Sequence, residues 1–158
     1  MRYFIVDDDR ASRLILTNII HEAALGTVIG EAANGEDAIP QILMTQPEFV
    51  LIDLLMPKLD GIATIQKLRE ARFQGSFIML SQIVNKEIVG EAYNIGVEYF
   101  IHKPINKIEV ETILRKTTEQ HRLKASIQVI RQSLTGFDTP PLQTKKTVRD
   151  RSRTVFFV

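Results

Sequence analysis

Phe49-Val50-Leu51-Ile52 is an unbroken apolar run that stops on a lone carboxylate, Asp53. A short run with no polar alternation suits a strand buried on both faces of a parallel sheet. Phe77-Ile78-Met79-Leu80 repeats the pattern and stops on Ser81. Working outward, Tyr3-Phe4-Ile5-Val6, Val28-Ile29 and Val97 to Ile101 complete a set of five strands. Segments of helical period lie between them: Leu14, Ile15, Asn18 and Ile19, then Ala38, Ile42 and Leu43. Ile62, Ile65 and Leu68 follow the third strand, and Ile88, Val89, Ala92 and Tyr93 the fourth. A last helix is expected from Asn106, whose side chain suits an N-cap. Five strand–helix repeats predict a doubly wound α/β sandwich with right-handed crossovers, and spacing alone leaves the strand order open. Asn34-Gly35 and Gly75-Ser76 read as turns. Pro40 falls inside the second helix and should kink it or mark its first turn.

The 158 residues are 44% apolar and 25% charged, which is the composition of a folded globular domain rather than a disordered chain. With no cysteine, disulfide scaffolds, thiol catalysis and thiolate metal sites are excluded. No apolar run approaches the roughly 18 residues of a membrane span. Met1 to Val6 leads straight into acids, without the layout of a signal peptide, so a cytoplasmic protein is expected. The net charge of +1 conceals an asymmetry. Residues 1–117 hold 12 basic and 16 acidic side chains, a net of −4, whereas residues 118–158 hold 8 and 3, a net of +5.

In this fold class a site belongs beyond the C-terminal ends of the strands. Strand one ends in Asp7-Asp8-Asp9, strand three in Asp53, strand four in Ser81 and strand five in Lys103-Pro104. Converging carboxylates repel unless one is protonated or a cation sits between them. An all-oxygen cluster favours Mg²⁺ or Mn²⁺. A carboxylate beside such a metal can attack phosphorus to give an aspartyl phosphate. That chemistry needs little beyond in-line positioning and neutralisation of the equatorial oxygens, here by the metal, Lys103 and the Ser81 hydroxyl.

Over about residues 1–120 the chain resembles the receiver domain of two-component response regulators. The likeness rests on Ile5-Val6-Asp7-Asp8-Asp9, Leu51-Ile52-Asp53-Leu54-Leu55-Met56-Pro57, Asp60-Gly61, Met79-Leu80-Ser81 and Phe100-Ile101-His102-Lys103-Pro104. It implies a flavodoxin-like (CheY-like) five-stranded parallel sheet of order 2-1-3-4-5. It also implies Asp53 as phosphoacceptor, with Mg²⁺ held by Asp7, Asp8, Asp53 and the backbone carbonyl of Leu55. Ser81 and Lys103 would hold the phosphoryl group, Pro104 would follow a cis peptide bond, and Phe100 would be the switch aromatic that moves as Ser81 is drawn inward. The implied partner is a sensor histidine kinase. Gln82, where the family has a small residue, and Asp9, a third consecutive acid, depart from the pattern. A phosphatase of the haloacid dehalogenase type would need a second Asp at position 55, which is Leu. A nucleotide-binding module would need a Gly-rich loop after strand one, and none is there.

Beyond residue 120, Leu123, Ile127, Ile130, Leu134 and Phe137 step by 4, 3, 4 and 3, a heptad seam over 121–137. It is expected either to fold back on its own domain or to pair two copies into a homodimer. Gly136 and Pro140-Pro141 should stop the helix. Residues 138–158, with Lys145, Lys146, Arg149, Arg151 and Arg153, read as a basic linker or the truncated start of an output region. DNA would then be met only through an output domain absent or truncated here; the alternative is a receiver acting by protein contacts alone. The receiver stretch also resembles that of glutamine-responsive transcriptional regulators of bacilli, which carry a larger C-terminal effector.

Overall fold

Alternation along three strands sets the architecture. In β1 (Arg2–Val6), Phe4 and Val6 enter one apolar core and Tyr3 and Ile5 another. β3 (Phe49–Asp53) and β4 (Ser76–Ser81) divide in the same way: Val50, Ile52, Phe77 and Met79 join the first core, and Phe49, Leu51, Ile78 and Leu80 the second. Because neighbouring side chains leave opposite faces of a strand, an all-apolar run fills two layers at once. The remaining strands are β2 (Thr27–Ala32) and β5 (Val97–His102). All pairings are parallel, and the sheet order is β2-β1-β3-β4-β5, as the resemblance implied.

Helices cover both faces of this sheet. α2 (Gly35–Thr45), α3 (Gly61–Glu70) and α4 (Lys86–Asn94) supply Ala38, Ile42, Ile65, Leu68 and Ala92 to the first core. α1 (Arg10–Glu22) and α5 (Lys107–Thr135) supply Leu16, Ile19, Ile20, Val110 and Leu114 to the second. This computed structural model describes residues 1–83 and 85–136. Residues Met1–Arg122 form one compact unit, and the chain from Leu123 onward falls in a second.

Caps start most helices where the sequence offers them. Asp9, Asn34, Asp60 and Asn85 each accept backbone N–H groups of the first turn that follows. Asn106 Oδ1 accepts from Ile108 and Glu109 at 2.9 and 3.2 Å, the N-cap expected for α5. Asn34-Gly35 is a helix start rather than a separate turn. A side chain on Gly35 would collide with Thr64 Oγ1, so glycine is what lets α2 begin against α3. Pro40 lies well inside α2, which runs on to Thr45, and so does not mark the first turn.

Candidate functional site

Hydrogen bonds beyond the strand ladder fix the carboxyl ends of the central strands. Leu54 N–H donates to Leu80 O at 2.9 Å, and Lys103 N–H to Ser81 O at 3.0 Å. Asp7 N–H donates to Ala32 O at 3.1 Å. The Asp60-Gly61 pair closes the loop after β3: Asp60 caps α3, and Gly61 N–H donates to Leu54 O at 2.9 Å. A Cβ on Gly61 would collide with the Asp53 carbonyl oxygen, which gives a steric reason for glycine there. The result is a rigid rim on which Asp7, Asp53, Ser81 and Lys103 stand.

Lys103 is the centre of charge at this rim. Its Nζ lies 2.7 Å from Asp7 Oδ2 and 3.0 Å from Asp53 Oδ2. Oxygens of Asp7, Asp8 and Asp53 all lie within 4.8 Å of one another. Asp7 and Asp53 are buried, whereas Asp8 is exposed. Burial raises the Asp53 pKa; the hydrogen bond from Lys103 opposes that rise, and the Asp7 charge adds to it. Burial also works against the Lys103 ammonium, but Asp7 and Asp53 together outweigh it and hold its pKa above the ordinary lysine value. One ammonium thus answers two buried carboxylates, with the third, Asp8, alongside. Three carboxylates around a single ammonium leave an excess of negative oxygen ligands, a donor set that fits a hard divalent cation.

Asp53 opens to solvent through a cleft of ≈ 470 Å³ whose walls include Asp8, Leu55, Gln82, Lys103 and Ile105. The Leu55 backbone N–H donates to the Asp53 carboxylate. Gln82 lines the same cleft as Asp53. Lys103-Pro104 is a cis peptide bond.

The structure also places Ser81, Asp9 and Phe100. Ser81 is buried, but its Oγ donates to Ile83 O at 2.5 Å and accepts from Ile83 N–H at 3.0 Å. The β4–α4 loop thus holds the hydroxyl. Asp9 is the N-cap of α1, with Ser12 Oγ donating to it at 2.8 Å. Phe100 is half-buried and meets the Tyr93 ring edge-on at 5.6 Å. Sequence reasoning missed Arg13, whose Nη1 donates to the Asp7 carbonyl at 2.7 Å. On a polar helix face its charge gave no signal of burial.

The model of the response regulator receiver domain matches residues 3–127. The chain belongs to the response regulator receiver family. The receiver is 50% identical over 135 residues to the transcriptional regulatory protein GlnL of Bacillus subtilis, covering 85% of this chain and 43% of that protein. It is 29% identical over 147 residues to the nitrate/nitrite response regulator NarL of Escherichia coli, covering 93% and 65%. A protein-glutamate methylesterase/protein-glutamine glutaminase of Trichodesmium erythraeum is 33% identical over 107 residues, covering 66% of this chain and 30% of the enzyme. The chain therefore spans less than half the length of GlnL and of that enzyme. Among solved structures, CheY of Borrelia burgdorferi in its complex with CheX, BeF3 and Mg²⁺ superposes with a TM-score of 0.70 at 27% identity, over 74% of this chain and 88% of that one. The receiver domain of the Mycobacterium tuberculosis NarL superposes with a TM-score of 0.69 at 23% identity, over 75% and 95%. Among the described residues no helix is long and apolar enough to cross a membrane.

Proposed function

We propose that this receiver accepts a phosphoryl group from the histidine of a sensor kinase on Asp53. The carrying observation is a buried Asp53 that opens into the cleft, with Lys103 Nζ 3.0 Å away and two further carboxylates alongside. An Asp53 carboxylate oxygen attacks phosphorus in line, the bond to the donor breaks, and the donor leaves with its electron pair. Lys103 neutralises a phosphoryl oxygen. Asp7, Asp8, Asp53 and the Leu55 carbonyl would hold Mg²⁺, or Mn²⁺, which supplies the remaining charge neutralisation. The receiver promotes its own phosphorylation and dephosphorylation and is not otherwise an enzyme. The Borrelia complex, in which a related receiver is found with Mg²⁺, supports the choice of metal.

The switch is a population shift. The Ser81 hydroxyl leaves Ile83 for the phosphoryl group, and Phe100 leaves Tyr93 for the space vacated. Transcription is the favoured output, by likeness to GlnL, and the cytoplasm the favoured place. Regulation through protein contacts alone is the second choice, favoured by the complex of the Borrelia receiver with another protein. The receiver takes 1–120, a pairing segment 121–137 and a linker 138–158; Phe137, Pro140-Pro141 and the basic stretch lie outside the described residues.

The pairing partner is a second copy of this chain. Leu123, Ile127, Ile130 and Leu134 are all exposed. Lys124 and Arg131 flank the seam on one side and Glu119 on the other. A parallel pair sets Glu119 against Lys124 of the second copy, whereas an antiparallel pair sets Lys124 against Arg131. Incubation with acetyl phosphate and Mg²⁺ should add one phosphoryl group to the wild type and none to Asp53→Ala, read by intact mass. Labelling of Asp53→Ala would move the nucleophile elsewhere. Truncation near residue 120 should preserve labelling and abolish the dimer in sedimentation; a dimer that persists would place the interface on the receiver body.

A further inference from the structure

Asp7 and Arg13 are both largely buried, and Arg13 Nε completes no hydrogen bond. They belong to one assembly. Arg13 lies in the first turns of α1 with its side chain 13% exposed, and its Nη1 donates to the Asp7 carbonyl at 2.7 Å. Its Nε lies 3.5 Å from Glu31 Oε1, on the neighbouring strand β2. An arginine that desolvates its charge to grip one backbone carbonyl needs a reason, since exposure would cost it nothing.

The reason is in the peptide it holds. A peptide group is planar, so fixing the direction of the Asp7 carbonyl fixes the plane that joins Asp7 to Asp8. Asp7 is held at its other polar atoms as well: N–H by Ala32 O, Oδ1 by the Asp9 N–H at 2.9 Å, and Oδ2 by the Lys103 ammonium. The exposed Asp8 carboxylate accepts no hydrogen bond among the described residues, and the Asp7–Asp8 peptide sets the backbone position from which it lies near Asp53.

We propose that Arg13, braced by Glu31, is a positioning residue that sets the Asp7–Asp8 peptide so that both carboxylates converge with Asp53 on a divalent cation. The proposal rests on the metal-dependent role given above and adds a residue that touches neither metal nor phosphoryl group. It also reverses the sign expected from charge alone. Removing a cation near three carboxylates should tighten cation binding by Coulomb attraction. Removing a group that orients the ligands should weaken it.

Mn²⁺ alone is the probe, with free ion counted by electron paramagnetic resonance on the full chain. Arg13→Met should lower Mn²⁺ affinity about tenfold, the scale seen when partners of metal ligands are removed. Arg13→Lys, which keeps the charge and a donor, should recover part of the loss. In the metal-free protein, the Asp9 amide of Arg13→Met should exchange faster with solvent than in the wild type, relative to amides of β3. Affinity that is unchanged or tighter in folded Arg13→Met overturns the proposal. Should that variant not fold, Arg13→Gln takes its place, with a loss of about tenfold expected and unchanged or tighter affinity overturning. A wild type that takes up no Mn²⁺ would remove the metal role of the cleft and this proposal together. Wild-type binding that Arg13→Met preserves would remove the Arg13 assignment alone.

Discussion

The two ends of the sheet treat buried charge in opposite ways. At the amino ends of β4 and β5, Arg69 Nη1 donates to Phe73 O and Gly75 O at 2.8 and 3.0 Å. The same guanidinium reaches Ile95 O and Gly96 O at 3.4 Å and covers the Phe77 ring at 4.6 Å. At the carboxyl ends, Asp7 and Asp53 crowd around the single Lys103 ammonium, and Arg13 Nε is left without a hydrogen bond. One end satisfies its polar groups and so contributes stability. The other keeps them partly unsatisfied, which costs stability and leaves them free to act on a ligand.

The contrast would break if substitutions at the two ends had similar effects. Arg69→Met should cost the most, about 3 kcal/mol in urea unfolding, because several carbonyls lose a charged donor at once. Phosphorylation by acetyl phosphate should persist in that variant below its unfolding transition. Asp53→Asn should do the reverse, gaining about 1 kcal/mol while losing phosphorylation altogether. The sign follows from the raised Asp53 pKa. A group that holds its proton more tightly when folded contributes stability in acid and loses it as pH climbs through the folded value. The two proteins should therefore converge in acid and separate toward neutral pH; a gap independent of pH would contradict the account of burial.

The smallest effect belongs to Tyr3, buried near the amino end of β1 and 3.2 Å from Thr118 Oγ1 through its hydroxyl. Burial lifts its pKa above the ordinary value, with the Thr118 hydrogen bond opposing. Its contribution is complete below about pH 10 and is lost as the unfolded chain ionises first. Tyr3→Phe should cost about 1 kcal/mol or less at neutral pH and flatten the alkaline decline in stability. A decline unchanged in Tyr3→Phe would assign it to another group.

Most of the site was legible because strand ends are. Asp53 and Ser81 each close an apolar run, and such a run fixes where the strand stops and which edge the next residue occupies. The bonding of those residues was not legible. The Ser81 hydroxyl serves Ile83, two residues on, in a loop whose path the pattern does not specify. Asp9 followed two candidate ligands in an unbroken acidic run, and only the start of α1 separates a cap from a ligand. The seam from Leu123 was visible as a spacing, but spacing is the same whether a helix is covered or bare, and its exposure is a structural fact.

By itself the sequence determined five strands, the edge on which Asp7, Asp8, Asp53 and Lys103 gather, and the start of α5 at Asn106. Those follow from local rules: period, run length and capping chemistry act over a few neighbours in the chain. Only the tertiary structure decided that Lys103 bridges Asp7 and Asp53, that Arg13 is buried against the Asp7 carbonyl, and that Gly61 must be bare against the Asp53 carbonyl. Each of these joins segments far apart along the chain or on different elements, so its energy depends on distances that no local pattern encodes.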